Sequence, residues 1–274
     1  MATEFRFGVG LTRVGSRAQV QDSARRAEDL GFDVLHVPDH LGGPSPFPVL
    51  TAVAMATSNL RVGTFVLNAA FYRPALLARD VAALRDLSEG RFELGLGTGY
   101  VKEEFDAAGL RYPSAGERVD HLKLTTQYMA EHLPDVPIMI AGNGDRVLRT
   151  AARYADVIGL TGGDRAATAE EDPLAERVAF VRDAAGKRFG ELELNLAITA
   201  MPVDDSGQPD LTIPRISLPG LSDEALLRHP GVLSGSPDEI ADRIRSYRDV
   251  YGITYLIVQM RHADAFAKVL DLLA

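Results

Sequence analysis

Leu60–Tyr100 reads LRVGTFVLNAAFYRPALLARDVAALRDLSEGRFELGLGTGY. Its three parts decide the fold. Leu60–Leu67 is an apolar run that predicts a strand, and Pro74–Leu87 has helical period with proline at its first turn, where the missing N–H costs nothing. Arg91–Leu96 returns to a strand pattern. A strand, a crossover helix and a second strand apolar on both faces form the unit of a parallel sheet covered on each side.

The pattern repeats in both directions. Toward the N-terminus, Phe5–Leu11 reads as a strand and Ser16–Leu30 as a helix with Ala18, Ala24, Ala27 and Leu30 near one face. Gly31 stops that helix. Val34–Val37 is a further strand and Phe47–Ala56 a short helix. Toward the C-terminus, Ser114-x-x-Glu117 is a capping box that opens a helix. Strands follow at Ile138–Ile140, Val157–Leu160, Leu192–Ala200 and Thr254–Val258, with helices around Asp145–Arg153, Pro173–Lys187, Pro237–Tyr251 and Ala263–Leu273. Ser236, Pro237 and Glu239 combine N-cap, first-turn proline and capping carboxylate. Eight strands, nearly all followed by helices, predict an α/β fold closed as a single (β/α)8 TIM barrel over residues 1–274. Pro202–Pro219 has no periodicity and reads as a loop over the barrel mouth.

Composition excludes several function classes. The 274 residues contain no Cys, so disulfides, thiolate metal sites and Cys nucleophiles are ruled out. A net charge of −9 without a basic stripe argues against a nucleic-acid partner. The start, MATEFRFGVGL, lacks the pattern of a signal peptide, and no apolar run reaches membrane-spanning length. The expectation is a soluble cytoplasmic protein acting on a small molecule.

In a barrel, chemistry gathers at the C-terminal strand ends. Asp39-His40 closes the second strand, where a His near neutral pKa could move a proton. The other reading is a loop pair capping neighbouring chain, and because adjacent side chains diverge, Asp39 need not be the partner of His40. Gly95, Gly97 and Gly99, with Thr98 and Tyr100, close the fourth strand. With a side-chain period of two, the three glycines share one face and leave room for a ligand or another backbone. A tight turn is the alternative, and the dinucleotide fingerprint fails because Tyr100 stands where its third glycine belongs. Ala141-Gly142-Asn143-Gly144-Asp145 leads into a helix whose amides could hold phosphate or simply form a capped turn. Thr161-Gly162-Gly163 is a weaker signal of the same kind. Glu103 and Glu104 read as solvent-facing helix carboxylates, and His229 and His262 have no evident partner. His121 and His132, eleven residues apart, do not form a metal pair, and no metal motif is present.

From Arg73-Pro74 through Leu87-Ser88-x-Gly90-Arg91 to Gly95-x-Gly97-x-Gly99, the chain resembles the luciferase-like monooxygenase superfamily. Gly63–Leu67 is similar to that family's third strand, and Phe32–His40 to the second strand of its coenzyme F420-dependent branch. Val136–Asp156 and Gly235–Val258 resemble later elements. The resemblance implies a dimeric TIM barrel holding a flavin or deazaflavin at its mouth. It implies a cis peptide at Phe65–Val66 against the cofactor ring, Gly97, Thr98 and Gly99 beside the ring, and Asp39 nearby. Ala141, Gly142, Asn143 and Gly144 would hold the phosphate. His40 would be the proton-transfer group, with Tyr100 a second donor candidate.

Three departures from the family pattern stand out. Tyr100 replaces the Glu acid of its sugar-phosphate dehydrogenases, Asp164 stands where their phosphate-binding Lys is expected, and Leu41-Gly42-Gly43-Pro44 replaces a cofactor-wall aromatic. A sugar phosphate is therefore not the expected substrate. The expected function is hydride transfer between F420 and an organic substrate. The alternatives are an FMN-dependent monooxygenase and a non-catalytic flavin-binding homologue.

Overall fold

Every residue of Val34–Val37 and Phe92–Gly97 is buried, which a strand achieves only when both faces of its sheet are covered. The computed structural model describes residues 4–162 and 171–273. Its strands are β1 (Arg6–Gly10), β2 (Val34–Val37), β3 (Arg61–Thr64), β4 (Leu67–Asn68), β5 (Phe92–Gly97), β6 (Ile138–Ala141), β7 (Val157–Leu160), β8 (Glu193–Ala197) and β9 (Ile253–Gln259). The helices are α1 (Arg17–Asp29), α2 (Pro46–Ala54), α3 (Pro74–Leu87), α4 (Lys102–Ala107), α5 (Ala115–His132) and α6 (Asp145–Tyr154). They continue with α7 (Pro173–Ala185), α8 (Thr212–Ser217), α9 (Asp223–Arg228), α10 (Pro237–Tyr251) and α11 (Ala263–Leu273). All strand pairs are parallel, in the order β3-β2-β1-β9-β8-β7-β6-β5-β4, and β3 also pairs with β5. That pairing closes an eight-stave barrel, with β3 and β4 as the two halves of one stave.

The third stave departs from the continuous Leu60–Leu67 strand expected from its hydrophobicity. It breaks at Phe65–Val66, whose peptide bond is cis. The missing side chains of β5 make room for this path. A Cβ on Gly95 would stand 2.0 Å from the Thr64 carbonyl oxygen, and one on Gly97 would stand 2.8 Å from Val66 Cγ2. Thr64 Oγ1 donates to the Gly95 carbonyl and accepts the Gly95 N–H, both at 2.8 Å. At Gly95 the close neighbour is the chain's own backbone, and at Gly97 it is the Val66 side chain.

Inside the barrel, polar groups are layered. At the N-terminal ends of the strands, Arg6 bonds Glu193 and Glu93, and Arg61 also bonds Glu93. Above them the buried His36 bonds Tyr255 Oη through Nε2. Gly63 has no side chain because a Cβ there would approach His36 Nδ1 to 2.7 Å. Arg91 binds the outer layer to the barrel, donating to the carbonyls of Ala54 (2.9 Å) and Leu60 (2.8 Å).

The predicted capping boxes at Ser114/Glu117 and Ser236/Glu239 are present, and a third forms at Ser16/Gln19. The Pro202–Pro219 stretch is not all loop. It contains α8, because Leu211 joins Ala200, Leu226 and Val232 in a small buried cluster. The strand predicted over Leu192–Ala200 ends at Ala197, where the chain turns toward that cluster. No helix among the described residues is long and apolar enough to cross a membrane.

Candidate active site at the barrel mouth

A cavity of about 360 Å³ opens where β2, β4, β5, β6, β7 and β8 end. Larger hollows of about 850, 620 and 440 Å³ lie at Met201–Gln208 beside α10 and α11, at Leu11–Gly15 beside α1, and between α5, α6 and the end of α7. The first is lined by Asp204, Asp205, Glu239, Asp264 and Lys268, but none of these hollows contains a histidine. The smaller cavity is the candidate site because it collects Asp39, His40, Phe65, Val66, Gly97, Thr98, Gly99, Tyr100, Ala141 and Gly142, all expected at the site.

His40 follows β2, and its side chain is 46% exposed at the cavity rim. Its Nδ1 lies 2.8 Å from Glu104 Oε1. This corrects the solvent-facing expectation for Glu104, whose side chain is only 17% exposed. The cause is the anchoring of α4. Phe105 is buried and packs on Phe71 and Tyr112, with ring centroids 5.0 and 5.1 Å apart, which turns the neighbouring Glu104 toward the mouth. The Tyr100 ring meets the imidazole edge-on, with centroids 6.4 Å apart, while remaining 74% exposed itself.

Asp39 is not the partner of His40. Its Oδ2 accepts the Asn68 N–H at 3.1 Å, and Tyr72 donates to the same carboxylate. Burial pushes the Asp39 carboxyl above its ordinary range, against the pull of these two donors. Burial and the Asp39 charge likewise raise the Tyr72 phenol.

Gly99 has φ +69°, and a Cβ there would lie 2.1 Å from Asn68 Oδ1. Here the turn reading holds, and the space a Cβ would fill is taken by the Asn68 side chain. Phe65 and Val66 form part of the floor, half-buried above the Met139, Val157, Tyr255 and Ile257 cluster.

Ala141 and Gly142 line the cavity; Asn143 and Gly144 lie just beyond it. Asn143 Nδ2 donates to Thr161 Oγ1, whereas its buried Oδ1 has no partner among the described residues. Gly144 occupies the N-cap of α6, which therefore starts without a side-chain cap. Arg177 donates to Asp145 Oδ1 at 2.8 Å beside that helix start. Gly163 and Asp164 lie outside the described residues.

The remaining histidines serve the scaffold. His121 Nε2 lies 3.0 Å from the Ala69 and Tyr72 carbonyls, and His132 stacks on Tyr128. His229, expected to lack a partner, accepts the Gly231 N–H at 3.0 Å. Buried His262 meets Arg261 Nε at 3.1 Å. Sequence reading missed His36 altogether, although the small residues Gly8 and Gly63 on adjoining strands hinted that something bulky lies between them. Among the described residues, no cluster of three His, Asp or Glu could hold a metal ion.

A closed parallel barrel whose proton-transfer candidates and glycine-lined cavity share its C-terminal rim defines a class of small-molecule enzymes. Residues 1–206 match the luciferase-like monooxygenase family, and the chain belongs to it. Among curated relatives, it is 27% identical over 297 aligned positions to an F420-dependent glucose-6-phosphate dehydrogenase of Nakamurella multipartita, covering 88% of this chain and 86% of that protein. It is 29% identical to 5,10-methylenetetrahydromethanopterin reductase of Methanolobus tindarius over 55% of this chain and 52% of that protein. Among solved structures, the coenzyme F420-dependent tetrahydromethanopterin reductase of Methanopyrus kandleri superposes with a TM-score of 0.76 at 19% identity, covering 99% of this chain and 100% of that one.

Proposed function

We propose that the chain is an F420-dependent oxidoreductase that moves a hydride between the cofactor and an uncharged small organic substrate, with His40 handling the accompanying proton. The observation that carries this reading is the union, in one cavity, of a glycine-lined wall and a histidine already bonded to a carboxylate. The F420 dependence of the curated relatives supports the choice of cofactor.

The residues fit such a group. The α6 start offers backbone amides free of any side-chain cap, as an anionic tail requires, and Asn143 Oδ1, a buried acceptor without a donor among the described residues, suits a hydroxyl or N–H of the group rather than its phosphate. Gly97, Thr98, Gly99 and the Phe65–Val66 floor would face its ring, and Asp39 is held in place by Asn68 and Tyr72. Bound F420 supplies the carbon that accepts or donates hydride. The chain orients that group, shields it from water and moves a proton at the His40 imidazole. Tyr100, against the imidazole edge, is the second proton-donor candidate.

The cavity lining contains Asp39 and Glu104 and, among the described residues, no Lys or Arg. A sugar phosphate would meet these carboxylates without a compensating cation, which favours an uncharged substrate. The same reading makes residues 1–274 one barrel domain working as a cytoplasmic homodimer.

Titration with F420 and with FMN tests the assignment. Micromolar or tighter binding of F420 alone is expected. Preference for FMN with oxygen consumption would replace the reading by a monooxygenase, and tight binding without turnover by a non-catalytic homologue. In the F420-loaded protein, His40→Ala should slow single-turnover hydride transfer by about 100-fold or more. A rate near wild type removes His40 from the mechanism.

A further inference from the structure

Glu104 belongs to no motif that suggested the site, yet it makes the hydrogen bond that orients His40. A carboxylate oxygen can only accept, so the 2.8 Å contact requires the proton of the imidazole on Nδ1. Among the described residues Nε2 makes no hydrogen bond. The Tyr100 ring bounds the imidazole edge-on, and Asp39 is engaged with Asn68 and Tyr72. The buried Phe105 holds α4, and with it Glu104, against Phe71 and Tyr112. This contact joins two separate strand ends, with partners 64 residues apart.

We infer that Glu104 is a positioning residue. It fixes His40 as the Nδ1–H tautomer, directs the Nε2 lone pair at the substrate, and answers the positive charge that develops when Nε2 takes a proton. In the oxidising direction the substrate gives its hydride to the cofactor and its proton to Nε2, leaving an imidazolium facing the Glu104 carboxylate. The reducing direction returns both to the substrate. A carboxylate in this position sets the tautomer through the hydrogen bond at the opposite ring nitrogen. With Tyr100 beside it in place of a carboxylic acid, the charge in contact with the imidazole is Glu104 alone among the described residues.

The inference rests on the oxidoreductase reading for its catalytic half, but its structural half can be read without cofactor. Long-range proton–nitrogen NMR on ¹⁵N-histidine-labelled protein, with His40 assigned through His40→Asn, reports the tautomer at a pH where the ring is neutral. The expected result is Nδ1–H in the wild type, loss of that preference in Glu104→Ala, and its retention in Glu104→Gln, whose amide oxygen still accepts. Turnover in the F420-loaded protein should fall roughly 10- to 100-fold in Glu104→Ala and by less in Glu104→Gln. A wild-type ring protonated on Nε2, or a Glu104→Ala spectrum unchanged from wild type, overturns the inference. So does a tautomer change with undiminished turnover. Failure to bind F420 would count against the cofactor reading alone, because the tautomer is measured on the protein without it.

Discussion

The two ends of the barrel use charge in opposite ways. At the N-terminal end, Arg6, Arg61, Glu93 and Glu193 answer one another. Burial alone would raise Glu93, but the adjacent Arg6 and Arg61 hold it below the usual carboxylate range. At the mouth, groups are positioned but incompletely satisfied. Asn143 Oδ1 is buried without a partner among the described residues, and His40 is hydrogen-bonded there at Nδ1 alone. A fully paired network holds the barrel together and has nothing to offer a ligand. A partly satisfied one gives up stability for binding capacity.

The largest effect should come from breaking the closed end. Glu93→Ala leaves two guanidinium groups short of a partner and should cost about 3 kcal/mol in urea unfolding, with F420 affinity unchanged under native conditions. Loss of affinity without loss of stability would reverse the roles assigned to the two ends. The layer above gives a pH signature. Burial pushes His36 down to about 4, whereas an unfolded His titrates near 6.5. Its neutral form is favoured in the folded state, so its contribution is complete above pH ~6.5 and is lost as pH falls toward ~4. The loss should reach roughly 3 kcal/mol, and His36→Gln should flatten the stability profile across that window. An unaltered slope in the variant would assign acid sensitivity elsewhere. The smallest effect on stability belongs to the mouth. Asn143→Ala removes the unpaired Oδ1 together with the Nδ2 hydrogen bond to Thr161, and should change unfolding free energy by no more than about 1 kcal/mol while weakening F420 binding about tenfold. A large destabilisation with unchanged affinity would make Asn143 part of the scaffold.

The scaffold was legible because each stave is encoded locally. Runs such as Val34–Val37 and Ile138–Ile140 are apolar on both faces, and serine-led capping boxes mark the helix starts. The Asp39-His40 and Gly95–Gly99 strand ends were also visible, because a barrel confines its chemistry to those positions. The break at Phe65–Val66 was not legible from hydrophobicity alone, since both residues suit a strand; the resemblance to a family supplied it. Helix α8 was hidden because Leu211 gains burial only from residues brought back by the chain at Leu226 and Val232.

The sequence by itself determined the (β/α)8 barrel, its mouth and the presence of His40 there, since periodicity, caps and strand-end position are properties of short stretches. Only the tertiary structure decided which carboxylate serves which group. Glu104 reaches His40 because Phe105 is buried against Phe71, and Asp39 turns instead to Asn68 and Tyr72. Such pairings depend on packing between distant elements, and no local pattern of residues encodes the direction in which a side chain on one strand end will face another.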